Sequence, residues 1–500
     1  MERSPQVLPL YAVLLGLAGT AMLVPAVHAV SVEDFETARA FFYSGLLTLI
    51  LFSFIAVATR GTRPRRPARS NLLALFGAFT VLPCFLALPF VNAVPDTTFL
   101  NASFEMISSM TTTGATLYEP ERLPSSVHLW RGLVGWLGGF VVWVSAMAVL
   151  APLNLGGFEV GARRQGGTES FGPITHIADS AERMAIYANR LAPVYAGLTG
   201  SLWLALFLSG EQPTTALIHA MSTLSTSGIS PVGGLEEGQA GFAGEFLVFL
   251  FLVFALSRVT FGPEDRIFGI AALRDDPELR TGLMIILILP VLLFFRHILA
   301  ANSIESGTEG LNGFAAFWGS LFTVASFLST TGFESTYWGE AQSWSGLQSP
   351  GLLLMGLALF GGGIATTAGG VKLMRVYVLF GHGTREIQKL VHPNSVGGEE
   401  VGFQRQAAFV AWIFFMLFAI SIATTSIALA ATGLSFEQSL VLTFAALTTT
   451  GPLIEAGLTD PLAMNALEPA AKAITAAAMV VGRLETLAIV ALLNPAFWRS

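Results

Sequence analysis

The stretch SSMTTTGAT, residues 108–116, decides the fold of this 500-residue chain. Three threonines and a glycine follow directly on a short apolar segment, TFLNASFEMISSM, at 98–110. The same pattern, [Ser/Thr]-Thr-[Thr/Ser]-Gly, occurs four times in all, at intervals of 114, 104 and 119 residues. Its glycines are Gly114, Gly228, Gly332 and Gly451.

The four copies also agree upstream of the glycine. The fourth residue back is apolar, the sixth is small and the tenth is apolar in every copy. The sixth residues are Ser108, Ser222, Ser326 and Ala445, and the tenth are Phe104, Ile218, Phe322 and Val441. Agreement in phase over ten residues indicates internal structural repeats rather than a coincidence of composition.

The composition is that of an integral membrane protein. Hydrophobic residues make up 53% of the chain and charged residues 12%, about half of the share usual in soluble domains. Segments 7–30 and 40–59 each reach the ~20 apolar residues that cross a bilayer, and we expect the first to be retained rather than cleaved. The single cysteine, Cys84, excludes an intrachain disulfide and a thiolate metal cluster.

The order of apolar and polar segments is the same around each glycine. A full span comes first, then a 10- to 14-residue apolar piece, the polar turn, an acidic loop and a second full span. The short piece cannot cross the membrane, so it predicts a re-entrant segment. We therefore expect an all-α polytopic membrane protein with ten crossings. It has four pseudo-symmetric helix/re-entrant pore-loop/helix repeats around one central pore, plus two extra N-terminal transmembrane helices.

The repeats give the domain boundaries. Residues 1–70 hold the two N-terminal helices and a basic loop, and the four repeats are expected at 71–160, 161–265, 266–390 and 391–500. The predicted first spans are 72–93, 186–209, 281–300 and 406–430, and the second spans are 129–151, 242–262, 348–380 and 467–493.

Charge predicts the orientation. The loop RGTRPRRPARS, after the second span, holds five arginines, and short basic loops stay in the cytoplasm. Both termini and loops 152–184, 258–280 and 381–405 are then cytoplasmic. The opposite side carries mostly acidic residues, which raise the local concentration of cations. These are Glu33, Asp34, Asp96, Glu119, Glu121, Glu236, Glu237, Glu305, Glu309, Glu334, Glu340, Glu455 and Asp460. A solvated acidic loop face accounts for about half of them without any function.

The four turns have the chemistry of a cation pore. Non-helical backbone at membrane depth is tolerated only inside protein or around a water-filled cavity. Around one axis, the carbonyl groups of four such turns replace the hydration shell of a cation, while the negative ends of four half-helices point at it. Glycine allows the positive φ that such a turn needs.

These motifs resemble the Trk/Ktr/HKT superfamily of potassium transporters, most closely the TrkH-type bacterial uptake subunit. The resemblance covers nearly the whole chain and includes FEMISSMTTTGAT, RGLVGWLGGFVVWVSAMAVL, GGGIATTAGGVKLMRV, REIQKLVHPNSV and VGRLETLAIVALLNP. The fourth copy, TTTGPLIEAG, departs from the family pattern, in which an asparagine commonly stands two residues before the glycine and a glycine follows the proline.

The resemblance implies a potassium-selective filter with one glycine per repeat, and it implies that serine in place of the first glycine admits sodium. We call residues 112–115, 226–229, 330–333 and 449–452 the filter turns. The expected potassium-binding residues are Thr112, Thr113, Gly114, Ala115, Thr226, Ser227, Gly228, Ile229, Thr330, Thr331, Gly332, Phe333, Thr449, Thr450, Gly451 and Pro452.

The resemblance also implies a gate beneath the filter. The glycine-rich loop, residues 361–370, would block the pore and move aside, and an arginine in the last span would project into the pore near it. The gate residues are Gly361, Gly362, Gly363, Thr366, Thr367, Gly369, Gly370 and Arg483. Two other interpretations of the loop are a packing kink and a phosphate-binding loop, but Lys372 is out of register for the latter.

The partners follow from the same resemblance. We expect a homodimer in the bacterial cytoplasmic (inner) membrane, gated by a cytoplasmic nucleotide-binding ring of the TrkA type that docks on loops 160–184 and 381–405. The chain itself needs no cofactor: potassium is its substrate, and a nucleotide (ATP/ADP or NAD) is expected only on the ring. No nucleic-acid partner is expected.

Two other functions have different sequence requirements. A sodium- or proton-coupled potassium symporter needs an intramembrane carboxylate for the second ion, and Glu105 is the candidate. A membrane enzyme needs a nucleophile with a base or a metal pair, and no His-Glu-x-x-His, Gly-x-Ser-x-Gly or paired-aspartate motif occurs. The sequence therefore favours a pore that is not an enzyme.

Overall fold

The computed structural model describes residues 10–60, 67–151, 180–257, 276–300, 309–347, 349–391, 399–458, 460 and 462–485. Within these ranges the regular elements are helices. Their bounds are Leu10–Ala21, Leu23–Ser31, Phe35–Ala58, Pro67–Thr80, Leu82–Ala93, Phe99–Met110, Ser125–Ser145, Ser180–Leu208, Pro213–Ser225, Gly241–Leu252, Pro277–Ala300, Glu309–Leu328, Trp338–Ser345, Pro350–Leu359, Leu373–Val391, Glu399–Ala430, Phe436–Leu447, Leu453–Gly457 and Pro469–Leu484.

Seven helical stretches in the described residues are long and apolar enough to cross a membrane. They agree with seven of the ten predicted spans and are Leu10–Ser31, Phe35–Ala58, Ser70–Ala93, Ser125–Leu150, Glu182–Leu208, Pro277–Arg296 and Ala407–Ala430. The second of them exposes large apolar side chains such as Phe54, which is 70% exposed. Such a surface suits lipid contact.

The three remaining predicted spans differ from continuous helices. In the second repeat, Gly241–Leu252 continues only as a 3-10 turn, Val253–Leu256. In the third, Pro350–Leu359 and Leu373–Val391 are separated by the glycine-rich loop, so the span 348–380 is interrupted at the loop that the resemblance implied. In the fourth, Pro469–Leu484 ends before Glu485, whose φ of 59° is outside the helical region.

Four half-helices precede the filter turns, and we number them 1 to 4: Phe99–Met110, Pro213–Ser225, Glu309–Leu328 and Phe436–Leu447. Thr98 caps half-helix 1 by accepting from the Asn101 amide, and Ser435 with Gln438 forms a capping box on half-helix 4. Half-helix 3 has 20 residues, so the expected length of 10 to 14 is wrong there.

Close backbone packing joins the half-helices to the second spans. A Cβ atom on Gly138 would lie 2.2 Å from the carbonyl oxygen of Met110, at the end of half-helix 1. A Cβ atom on Gly482 would lie 2.3 Å from the carbonyl oxygen of Leu447, at the end of half-helix 4. Glycine is therefore required where these spans pass the ends of the half-helices.

Most of the basic segments that predicted the orientation lie outside the described residues. These are 61–66, 152–179, 258–275, 392–398 and the carboxyl-terminal 486–500. The cytoplasmic placement of the termini and loops, and the exact repeat boundaries, stay predictions.

Candidate ion-conduction site

The backbone of the filter turns is nearly the same in all four repeats. The threonine two positions before each glycine has a positive φ: 53° at Thr112, 51° at Thr226, 60° at Thr330 and 54° at Thr449. A positive φ is a genuine outlier for a β-branched residue. Such strain is typically found where the surrounding structure holds a functional backbone in place. The sequence led us to expect left-handed backbone only at the glycines, and the threonines were missed.

Local hydrogen bonds hold this backbone and explain the repeated phase. In each repeat, the carbonyl oxygen of the sixth residue before the glycine accepts from the amide of the residue just before the glycine. The distances are 2.8 Å for Ser108–Thr113, 2.9 Å for Ser222–Ser227, 3.0 Å for Ser326–Thr331 and 2.8 Å for Ala445–Thr450. A small residue at this position lets the returning backbone approach the half-helix.

The hydroxyl groups of the motif bind one another. In each repeat, the side chain three residues before the glycine is hydrogen-bonded to the one just before it. The distances between the oxygens are 2.8 Å for Thr111–Thr113, 3.0 Å for Ser225–Ser227, 3.0 Å for Ser329–Thr331 and 3.2 Å for Thr448–Thr450. The serine and threonine residues that recur in the four copies thus form the same side-chain hydrogen bond in each turn.

The four filter turns meet one another. A Cβ atom on Gly114 would lie 1.8 Å from the Ser227 carbonyl oxygen, and one on Gly228 would lie 2.2 Å from the Thr331 carbonyl oxygen. Gly332 lies against Pro452, and Gly451 against Ala115. The threonines and serines of the turns are fully buried. The structure therefore brings together all four turns that the sequence predicted to surround one axis.

The residues after the glycines are held in different ways. The carbonyl oxygen of Ala115 accepts from the Ser108 hydroxyl at 2.7 Å. Ile229 packs in an apolar cluster with Ile218, and the Phe333 ring lies edge-on to His219. Pro452 is half-buried and precedes the short helix Leu453–Gly457.

The fourth turn differs from the others, as its divergent sequence suggested. Gly114, Gly228 and Gly332 have φ values of 78°, 65° and 84°, whereas Gly451 is outside the left-handed region. The expectation of a positive φ at all four glycines is therefore wrong for Gly451. Its amide instead donates to the Thr113 carbonyl oxygen at 2.6 Å, which ties the fourth turn to the first.

Arg483 is buried directly beneath the filter turns. Its Nε donates to the Thr111 carbonyl oxygen and its Nη1 to the Thr367 carbonyl oxygen, both at 2.7 Å. Its Nη2 donates to the Thr112 and Thr449 hydroxyl groups. The guanidinium group therefore joins repeats 1, 3 and 4. As expected, Glu485 is not a partner of Arg483 in these contacts, since it pairs with Arg375.

The glycine-rich loop lies against the filter turns from below. The Gly369 amide donates to the Thr330 hydroxyl at 2.8 Å, and the Thr367 hydroxyl to the Leu224 carbonyl oxygen at 3.2 Å. A Cβ atom on Gly369 would lie 2.2 Å from the Thr448 carbonyl oxygen.

Close packing within the loop and against earlier segments of the chain accounts for its other glycines. A Cβ atom on Gly361 would meet the Gly369 carbonyl oxygen at 2.0 Å, and one on Gly370 the Ala358 carbonyl oxygen at 2.5 Å. Gly362 and Gly363 lie similarly close to the backbone of residues 255 and 256, and the Thr366 hydroxyl donates to the Gly363 carbonyl oxygen.

An acidic cavity of about 150 Å³ opens on the other side of the turns. It is lined by Gly228, Gly332, Glu236, Glu334 and Glu455, among others. Burial, reinforced by Glu236 and Glu455, raises the pKa of the Glu334 carboxyl to about 7. Burial likewise raises the pKa values of Glu236 and Glu455. A cation entering this cavity would stabilise the charged carboxylates.

One set of residues that supports the filter turns was not predicted from the sequence. The residue nine positions before the glycine is Glu105, His219 or Thr323 in the first three repeats, and each is hydrogen-bonded to the chain just beyond the filter turn. The common spacing is visible in the sequence, but the residue type changes. Of these residues the sequence singles out only Glu105, as the candidate ion-coupling carboxylate.

Comparisons with known proteins agree over almost the whole chain. A family model described as TrkH, a cation transport protein, matches residues 274–499. The Trk system potassium uptake protein TrkH of Salmonella typhimurium is 30% identical over 495 residues, 96% of each chain. The protein of the same name from Vibrio parahaemolyticus is 29% identical and covers 97% of this chain and 98% of its own.

The structural comparison agrees with them. The crystal structure of the potassium transporter TrkH from Vibrio parahaemolyticus matches with a TM-score of 0.81 at 26% identity, covering 98% of this chain and 99% of that one. The predicted fold class and the resemblance are confirmed, and the protein is a polytopic helical membrane protein that acts in transport rather than as an enzyme. The chain belongs to the TrkH family of cation transport proteins.

Proposed function

We propose that this protein carries potassium into a bacterial cell across the cytoplasmic membrane, through a filter made of the four filter turns. Its relatives are named Trk system potassium uptake proteins. The observation that carries the proposal is the convergence of four turns with the same left-handed threonine, the same hydroxyl bridge and the same backbone bond.

The chemistry of the turns suits a dehydrated cation. Each hydroxyl bridge uses side-chain oxygens behind the turn, so backbone carbonyl groups are the ligands offered at the axis. The half-helices end at the turns, and their carboxyl-terminal ends carry partial negative charge. An inside-negative potential of 100 mV is worth about 2.3 kcal/mol per charge, which supports about 50-fold accumulation without chemistry in the chain.

The glycine-rich loop and Arg483 form the proposed gate. Both lie against the inner side of the filter turns, where a fixed positive charge opposes a cation. The loop reaches the turns and the end of half-helix 2 mainly through glycine backbone and the Thr367 side chain, so it can withdraw without dragging large side chains through the pore. Opening would require breaking the bonds from Arg483 to Thr367 and from Gly369 to Thr330.

The proposed setting is the bacterial inner membrane, with both termini in the cytoplasm and the four repeats bounded as predicted from the sequence. We further propose a homodimer gated by a TrkA-type ring that binds ATP/ADP or NAD, docked on loops 160–184 and 381–405. Purified chain that shows no affinity for such a ring and gates normally without it would contradict this part of the proposal.

A sodium- or proton-coupled symporter is the alternative, and its candidate carboxylate is Glu105. Oε2 of Glu105 lies 2.9 Å from Nε of Arg131, and Oε1 accepts from the Leu117 amide at 2.5 Å. The side chain is fully buried. A carboxylate held by these partners is poorly placed to bind and release a second ion on each transport cycle, which favours the channel.

The test is rescue of a potassium-uptake-deficient bacterium at low potassium, with a Gly114→Ser variant beside the wild-type chain. We expect the wild type to rescue and the variant to rescue less well and to admit sodium. No rescue by either, or equal rescue by both at equal abundance, would contradict the filter assignment. Flux into vesicles then separates the two mechanisms, because potassium flux through a symporter follows the gradient of the second ion.

A further inference from the structure

Buried polar contacts support the chain immediately beyond the filter turns, on the side away from the gate. The supporting residue in repeat 1 is Glu105, on half-helix 1 and nine positions before Gly114. Its Oε1 accepts from the Leu117 amide at 2.5 Å and from the Thr116 hydroxyl at 3.0 Å. The carboxylate thus holds the second and third residues after the filter glycine.

Arg131 completes this arrangement from the second span of the same repeat. Its Nε lies 2.9 Å from Oε2 of Glu105, and both side chains are almost fully buried. A buried carboxylate without a counter-charge is costly, whereas a pair that also satisfies backbone donors is tolerated. Arg131 therefore supplies the counter-charge to Glu105 on the side opposite the Leu117 amide.

The other repeats place a support at the same distance from the glycine, with different chemistry. In repeat 2, His219 is hydrogen-bonded to the Ser230 hydroxyl at 2.9 Å. In repeat 3, the Thr323 hydroxyl accepts from the Ser335 amide at 3.3 Å. In repeat 4 the equivalent residue is Leu442, and the short helix Leu453–Gly457 follows the turn instead. A carboxylate at this position is a feature of repeat 1.

The support acts on the most closely packed filter turn. The Gly114 backbone lies against the Ser227 carbonyl, and the Thr113 carbonyl accepts from the Gly451 amide. A shift of the Ala115–Leu117 backbone would therefore move contacts with both neighbouring turns. Discrimination between potassium and sodium depends on the positions and number of carbonyl ligands.

We propose that Glu105, paired with Arg131, is a positioning residue that holds the backbone after Gly114 and thereby sets the preference of the filter for potassium over sodium. This inference rests on the proposed function, which it deepens. Glu105 acts through the Leu117 amide and does not itself touch the ion. Its expected signature is a change of selectivity rather than of folding alone.

Two double variants separate the hydrogen bond from the charge. E105Q/R131Q removes both charges and keeps an acceptor for the Leu117 amide. E105L/R131M removes both charges and the acceptor, and it gives repeat 1 the leucine that repeat 4 has. Neither leaves a buried charge unpaired. We expect the first to keep the potassium-to-sodium flux ratio within about twofold and the second to lower it about tenfold, the effect of losing one hydrogen bond.

The matched control is Glu211→Leu. Glu211 is also a buried carboxylate that accepts from backbone amides, those of Gln239 and Ala240, but these lie eleven and twelve residues beyond Gly228. We expect this variant to keep the wild-type flux ratio. If E105L/R131M does not fold, E105D provides the test. This variant keeps both charges and withdraws the carboxylate by one methylene group, and we expect its potassium-to-sodium flux ratio to fall.

The measurement is potassium and sodium flux into vesicles by the full-length purified chain, with the melting temperature in detergent as the check on folding. A folded E105L/R131M or E105D with the wild-type ratio would overturn the inference, as would an equal loss in Glu211→Leu. These outcomes require a wild type that selects potassium. A wild type that carries no potassium would refute the proposed function itself, so the two failures are distinguishable.

Discussion

Alanine at Gly114 and at Gly332 should have different consequences, although the motif treats the two glycines alike. Both have a strongly positive φ, 78° and 84°, so alanine strains either backbone by about 1–2 kcal/mol. The surroundings differ. The new Cβ atom at residue 114 would lie 1.8 Å from the Ser227 carbonyl oxygen, whereas at residue 332 its nearest neighbour is Cβ of Pro452, at 3.1 Å.

The difference can be converted into an expected effect. An ordinary contact begins at 3.4 Å, so the Ser227 carbonyl would have to move by about 1.6 Å to accept Gly114→Ala. At residue 332 a shift of about 0.3 Å suffices. Overpacking of this kind costs about 1–3 kcal/mol. Because the displaced Ser227 carbonyl is a proposed ion ligand, we expect this cost to appear in ion binding, so that Gly114→Ala lowers potassium affinity about 5- to 140-fold more than Gly332→Ala.

The assay is the potassium concentration that supports half-maximal growth of an uptake-deficient bacterium, followed by flux into vesicles. Membrane abundance and melting temperature of both variants establish that each is folded. We expect Gly332→Ala to retain substantial uptake and Gly114→Ala to lose both affinity and selectivity. Equal losses, or a larger loss in Gly332→Ala, would show that the first and second filter turns do not pack as described.

Three further predictions concern the gate, the outer cavity and the buried ion pair. Arg483→Gln should raise potassium flux in vesicles by about 10- to 1000-fold, because a like charge near the ion path costs up to about 4 kcal/mol at 4 Å in a partly polar site. Unchanged flux in folded protein would contradict the barrier role. Lowering the outer pH from above to below the Glu334 pKa of about 7 neutralises that carboxyl and should weaken potassium uptake. Glu334→Gln should take up potassium weakly both above and below this pH, so its pH profile should be flatter. Glu485→Gln breaks the 2.7 Å pair with Arg375 and should lower the free energy of unfolding by roughly 3 kcal/mol, measured as a lower melting temperature. The double variant R375M/E485M should recover most of this loss, because it removes both charges.

Local pattern allowed much of this site to be predicted from the sequence. The repeat predicted the four turns but not the bonds within them. The hydroxyl bridges and the bond from the sixth residue back lie within six residues of each glycine, so they explain why the four copies agree in phase. Hydropathy likewise predicted the long spans. By hydropathy alone 348–380 is one span, because the glycine-rich loop is as apolar as a helix; the loop was expected only from the family resemblance, and its backbone follows close contacts with the filter turns.

Contacts between distant parts of the chain could not be predicted from the sequence. Arg483 lies 372 residues from Thr111 along the chain. Its position inside a predicted span indicates that it needs polar partners but does not identify them. The role of Glu105 was hidden for a different reason. A buried carboxylate in a half-helix suggests ion binding as readily as support, and only the positions of Leu117 and Arg131 distinguish the two.

The site therefore uses two kinds of support. The shape of each filter turn comes from its own residues, through bonds that all four repeats share and that the motif preserves. The position of each turn relative to its neighbours comes from contacts that differ between repeats, such as the Glu105–Arg131 pair and the bond from Gly451 to Thr113. In the proposed filter an ion at the axis would contact all four turns, so its selection would depend on their relative positions. Substitutions in the shared bonds should mainly reduce folding, whereas substitutions in the repeat-specific contacts should mainly change which ion passes.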